Sequence, residues 1–257
     1  MIRNGNPALR RVHSMCDSEA LLERSTYGGI AKKSIYFVLL TFVAAAGSFL
    51  GLYLVADIMY THSNLIIGLL VGSVIGSLVA SMIAIFNPNA TAVAGSIYAV
   101  LQGFVMGFTA LMVTMAGFGG EVFAALLATI GVFGIMMVLY STGVIRVGSA
   151  FRKFMLSALL GVLFVNLILF MVALIAPGNR FWDLFFGNNF LAIGINVVMV
   201  ILASLMILFD LSRMTQIVEA GLDKRFEWVA SFSLLITLIW LYMEFLRLFI
   251  RIASRSR

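Results

Sequence analysis

The 257-residue chain is short of the side chains from which most active sites are made: it has one cysteine, two histidines and only 11% charged residues. Cys16 on its own excludes an intrachain disulfide and any cysteine-based metal site. His13 and His62 lie outside every apolar stretch, and no zinc, hydrolase or phosphate-loop motif occurs, so the sequence predicts no enzyme, no bound metal and no cofactor. Lysine is confined to Lys32, Lys33, Lys153 and Lys224, in flanks and loops, which excludes a Schiff-base pigment. No basic helix or aromatic-interleaved patch stands apart from the apolar segments, so nucleic acid is not an expected partner.

What fills the chain instead is apolar surface. Hydrophobic residues make up 62% of it and the mean hydropathy is +1.10, far from the roughly 45–50% apolar and about 25% charged content of soluble domains. The first partner is therefore a lipid bilayer. Seven apolar stretches, at about 34–56, 64–86, 92–116, 121–141, 154–176, 189–211 and 228–250, are each long enough to cross the ~30 Å hydrocarbon core as a helix. Breaker chemistry separates them, including Asn87-Pro88-Asn89, Gly117 to Gly120 and Pro177-Gly178, with Gly221 as a helix stop. The expected architecture is an all-α seven-helix bundle over residues 34–257, preceded by a polar tail at 1–33. The first apolar run has no plausible cleavage site soon after it, which argues for a retained span.

Lys and Arg set the expected orientation. With the N-terminus cytoplasmic, 12 of the 17 fall on the inner side, as the positive-inside rule favours. Seven spans would then leave the Arg-rich C-terminus outside, so the last segment either crosses fully, as its length favours, or re-enters under cover of protein. Gly68, Gly72 and Gly76, beside Ser73 and Ser77, and Gly103 with Gly107 form four-residue rows of small residues that read as packing seams, with a dimer interface as the alternative.

Two carboxylates, Asp210 and Glu244, fall inside or at the edge of the last two stretches, where an ionised acid costs about 2.5 kcal/mol or more. Arg213 and Arg247 each follow an acid by three residues, on the same helix face, and are candidate counter-charges. Two readings stay open. Each acid is neutralised within its own helix, or the antiparallel helices bring the two acids together. In contact they could not both ionise readily, and would make a proton-sensitive latch and, once open, a weak site for a hard cation such as Ca²⁺. Helical rise argues for an offset, because about 16 Å separates Asp210 from a turn at Gly221 and about 34 Å separates that turn from Glu244. The same rise puts Asn196 near the depth of Glu244. Asn196, Gln102 and Asn166 are the other polar groups within spans, read as interhelical hydrogen-bond formers or as the lining of a pathway.

The segment Phe226-Glu227-Trp228 through Leu241-Tyr242-Met243-Glu244-Phe245-Leu246-Arg247-Leu248 resembles the bacterial YccA/YetJ-like branch of the Bax inhibitor-1 family. So do Gly5-Asn6-Pro7-Ala8-Leu9-Arg10-Arg11 and Tyr98-Ala99-Val100-Leu101-Gln102-Gly103. The resemblance implies a central seventh helix, a bacterial inner-membrane location and a pH-sensitive calcium leak with Ca²⁺ and protons as its ligands. It also implies governance by an acidic pair, which falls here on Asp210 and Glu244. A different class is the alternative: a non-conducting regulator of a membrane-protein partner, such as a membrane protease. This chain departs from its relatives in having no Lys or Arg between Lys33 and Arg146, where they carry a latching arginine, and in having Glu at the second acid.

Overall fold

The computed structural model describes residues 24–54, 63–145, 147–175 and 189–256. The Gly5 to Arg11 motif and most of the polar tail lie outside these residues. Among the described residues seven helices follow in order: α1 (Tyr27–Leu54), α2 (Ser63–Phe86), α3 (Thr91–Met115), α4 (Gly119–Ser141), α5 (Ser149–Ile175), α6 (Phe190–Glu219) and α7 (Arg225–Ser256). All seven are long and apolar enough to cross a bilayer. Helix is the economical answer, since it satisfies backbone N–H and C=O groups within the segment where lipid offers no partners.

Three departures from the apolar runs bear on the site. Helix α1 starts at Tyr27, inside the stretch read as tail, because the Thr26 hydroxyl accepts the Gly29 N–H at 3.0 Å as an N-cap. Helix α6 runs two turns beyond its apolar stretch and stops where Gly221 takes φ +63°, its N–H reaching the Val218 carbonyl while Leu222 N–H reaches Ile217. Helix α7 is one unbroken element of 32 residues, about 48 Å long, so it crosses fully and the re-entrant alternative falls.

Helix α7 is the axis of the bundle. In its most apolar window 67% of the residues are buried, against 11–33% in the other six helices. It packs on α1, α2, α3, α4 and α6, whereas α5 touches only α6 among the described residues. The core around α7 holds Ala203, Ile207, Leu241 and Leu246, and near its start an aromatic cluster in which Phe232 meets Phe37 at 6.1 Å and Tyr98 at 5.1 Å. The ends where α1 begins, α2 meets α3, α4 meets α5 and α6 meets α7 share one face. They are cross-tied by Arg225 to Asn89 at 3.1 Å, Arg152 to Gln216 at 3.1 Å and Tyr140 to Thr215 at 2.8 Å.

One of the two small-residue rows is a seam throughout and the other only in part. A Cβ at Gly103 or Gly107 would run into the α1 backbone around Thr41 to Ala45, so α3 and α1 touch through these glycines. Gly68 and Gly72 face open space, while a Cβ at Gly76 would meet the Leu101 side chain of α3 at 3.0 Å; α2 also buries Ser73, Ser77, Ala80 and Ala84 against its neighbours. Association in lipid depends on such close packing. Gly107→Val is therefore expected to destabilise the detergent-solubilised protein by about 1–3 kcal/mol, read as a lower thermal midpoint. Gly72→Val should leave the midpoint where it is.

Candidate functional site

The face that α6 and α7 present to each other carries two polar stations. At the first, Asp210 is 1% exposed and accepts hydrogen bonds from Ser233 Oγ at 2.7 Å and Thr237 Oγ1 at 2.5 Å. Ser233 and Thr237 are one helical turn apart, so both hydroxyls grip one carboxylate. The expected ion pair with Arg213 does not form: among the described residues Asp210 has no salt bridge, and Arg213 is exposed to the surroundings of the bundle. Arg213 sits three residues towards the α6 end, so its charge acts on Asp210 across a distance and not through a contact.

The second station is built around Glu244, 2% exposed. It accepts from Asn196 Nδ2 at 2.6 Å, Trp240 Nε1 at 3.2 Å and Arg247 Nη1 at 3.0 Å. Here the i,i+3 counter-charge does form. The depth match between Asn196 and Glu244 becomes a direct bond across the two helices. A further residue completes it: Arg251 donates to Asn196 Oδ1 at 2.8 Å and to the Ala192 carbonyl at 2.7 Å. With its oxygen held by Arg251, the Asn196 amide is oriented so that its N–H aims at Glu244.

The two acids are not a contacting pair. Each has its own partners, and Thr237, which holds Asp210, lies about 10 Å of helical rise before Glu244. Of residues 212–227 only 220–224 leave the helix, as the turn itself, so nothing unwinds to cancel the offset. Gln102 is away from both stations on α3; its amide reaches the Tyr98 hydroxyl only at 3.5 Å, the weak limit. Asn166 bonds the Val162 carbonyl of its own helix at 2.8 Å, and it lines a cleft with Asn196, Glu244, Arg247 and Arg251.

A third buried acid escapes a reading of the sequence. Glu227, which looks like the end of a polar loop, is 1% exposed and pairs with Lys33 Nζ at 2.7 Å. It also accepts the Thr26 N–H at 2.8 Å, and a Cβ at Gly29 would collide with its carboxylate. Lys33 lies over the Trp228 ring at 4.9 Å. Beside this clasp Ser25 N–H donates to the Leu222 carbonyl at 2.7 Å, tying the start of α1 to the α6–α7 turn. Two lysines before the first apolar run and an acid opening the last were the available signal. Nothing local joins residues 194 positions apart.

A search of curated proteins gives no match to this chain. A sequence model described as Bax inhibitor 1 like matches residues 6–254, nearly the whole length and both polar stations. A multi-pass protein of seven membrane-spanning helices with its last helix at the centre, the chain belongs to the Bax inhibitor 1 like family.

Proposed function

We propose that the protein is a passive cation leak that lets Ca²⁺ move down its gradient along the α6–α7 seam, with Asp210 facing the ion and Glu244 responding to protons. The observation that carries this reading is the contrast between the stations. Around Asp210 the partners are hydroxyl oxygens, which suit a hard cation. One carboxylate and two hydroxyls fall short of the six to eight oxygens Ca²⁺ takes in a resident site, and weak binding is what passage requires. Around Glu244 the partners are N–H donors, which repel a cation and hold the carboxylate.

Protonating Glu244 on the oxygen facing Asn196 sets a hydrogen against an N–H that Arg251 keeps from turning away. The α6–α7 tie at this level then breaks. Transport, rather than catalysis, needs no resident cofactor. The cytoplasmic N-terminus and bacterial inner-membrane location belong to the same proposal; Lys32, Lys33, Arg152, Lys153, Lys224 and Arg225 gather at the end of the bundle where α1 begins.

The deciding experiment loads proteoliposomes with a Ca²⁺ dye and follows influx from pH 6 to 8 for wild type and an Asp210→Asn, Glu244→Gln double variant. A pH-dependent influx that the variant lacks is expected. No influx from either protein would remove the leak and favour the second reading, a non-conducting regulator of another membrane protein. One observation favours that reading: Ser25 and Thr26 couple the N-terminal segment to the α6–α7 turn and to Glu227. A regulator of this kind should lose activity when residues 1–23 are deleted and tolerate neutralisation of both acids.

A further inference from the structure

The far end of α7, away from the clasp, carries a row of arginines of which the second station uses only part. Arg247, Arg251 and Arg255 recur at four-residue spacing and so share a helix face. Trp228 marks the opposite interface, as tryptophans do. A ~30 Å hydrocarbon core takes about 20 helical residues, so the core that begins there ends near residue 248. The three guanidiniums thus stand at the depth of the phospholipid headgroups. Beside them, between α5 and the α6–α7 pair, is a cleft of about 340 Å³. It opens to the bilayer because α5 touches only α6 among the described residues.

The cleft is amphipathic along its length. Val162 and Val165 of α5 face Met199 and Leu202 of α6 in its apolar part, and Arg247 and Arg251 close its polar end. The one carboxylate lining it among the described residues is Glu244, which takes a single Nη of Arg247, whose side chain is 53% exposed. Arg255, one turn beyond the residues that line the cleft, lies against the Phe190 ring at 3.5 Å. Of the three arginines, Arg247 pairs with the acid, Arg251 is held by Asn196 and the Ala192 carbonyl, and Arg255 adds charge without an acid partner among the described residues.

We propose that this cleft binds an anionic phospholipid, its phosphate held by the arginine face and an acyl chain laid along the α5–α6 wall. Guanidinium forks match phosphate oxygens in pairs, and the apolar floor supplies what a free anion would not use. The occupant is a lipid of the surrounding membrane. Because the phosphate and Glu244 draw on the same Arg247, bound lipid weakens the latch at the second station; the binding itself does not depend on conduction.

Trp240 bonds Glu244, which lines the cleft, and can report occupancy. The chain has three tryptophans, so Trp182→Phe with Trp228→Phe leaves Trp240 as the only one. This protein is reconstituted in phosphatidylcholine vesicles containing a minor fraction of brominated lipid, either phosphatidylglycerol or phosphatidylcholine. Brominated phosphatidylglycerol is expected to quench Trp240 at the lower mole fraction. That preference should fall about fivefold for each arginine neutralised, in Arg247→Gln/Arg251→Gln and in the exposed Arg255→Gln, which spares the Asn196 tie and guards against misfolding. Equal quenching by the two lipids, or an unchanged preference in Arg255→Gln and the double variant, overturns the proposal. So does reversal by inorganic phosphate at an ionic strength where sodium chloride has no effect, since that outcome marks a free-anion site.

Discussion

Glu244→Gln is expected to abolish the pH dependence of Ca²⁺ influx and hold it at the level wild type reaches at the acidic end, whereas Asp210→Asn should lower influx about tenfold or more at every pH. The asymmetry follows from the partners. Glutamine keeps an oxygen for Trp240 and Arg247, yet presents an amide N–H to Asn196 Nδ2, a donor facing a donor. Asn196 cannot turn to offer its oxygen, because Arg251 holds that oxygen at 2.8 Å. The variant therefore reproduces permanently what a proton does transiently.

At Asp210 the loss is of charge. Asparagine keeps one oxygen to accept from Ser233 or Thr237, but it no longer attracts a cation. Two unit charges at 4 Å attract by about 4 kcal/mol at an effective dielectric of about 20, and roughly a third of that on a barrier is already tenfold in rate. Influx titrated between pH 6 and 8 separates the two variants. Identical profiles from them would show that the stations do not divide the roles as described, even if a leak exists.

The second large effect is structural. Lys33→Met should lower the thermal midpoint of the purified protein by on the order of 5–10 °C, from a cost of about 2–3 kcal/mol. Lys33 is 14% exposed and Glu227 1%, and removing the ammonium leaves a buried carboxylate with Thr26 as its one remaining partner among the described residues. The cost is set below the ~3–5 kcal/mol of a deeply buried pair because the clasp sits at the first turns of α1 and α7, close to the interface. Glu227→Gln added to Lys33→Met should recover at least half of the loss, since a neutral amide needs no counter-charge. A double variant no more stable than the single one would mean that Lys33 acts by packing over Trp228 rather than by charge. Hydrogen exchange supplies an independent readout, with faster exchange expected at Gly29 and Ile30 and in the α6–α7 turn.

Much of this protein is written in its sequence, because the bilayer reduces folding to a length and composition problem. Runs of about 20 apolar residues had to be helices that span, and their separators had to turn. Gly221 was legible as a stop because a helix end that needs positive φ takes glycine with least strain. The acids were legible as unusual for the same reason, being costly residues in apolar stretches, and helical rise was enough to set Asn196 beside Glu244.

What the sequence could not supply is which helix faces which. Spacing offered Arg213 and Arg247 as equivalent partners three residues from an acid, yet only Arg247 pairs, because Ser233 and Thr237 of the neighbouring helix reach Asp210 from inside the seam. The glycine rows of α2 and α3 read alike, and only rotation about each helix axis decided that Gly103 and Gly107 touch α1 while Gly68 and Gly72 face outward. The roles of Glu227 and Arg251 were hidden for a related reason: their partners, Lys33 and Asn196, lie on other helices. Sequence alone determined the family, the seven spans and the two acids, since each follows from residue type and order along one chain. Tertiary structure alone decided the separation of the acids, the Asn196–Arg251 brace and the Lys33–Glu227 clasp, since hydrogen bonds and ion pairs between helices depend on rotation and depth, which no local pattern encodes.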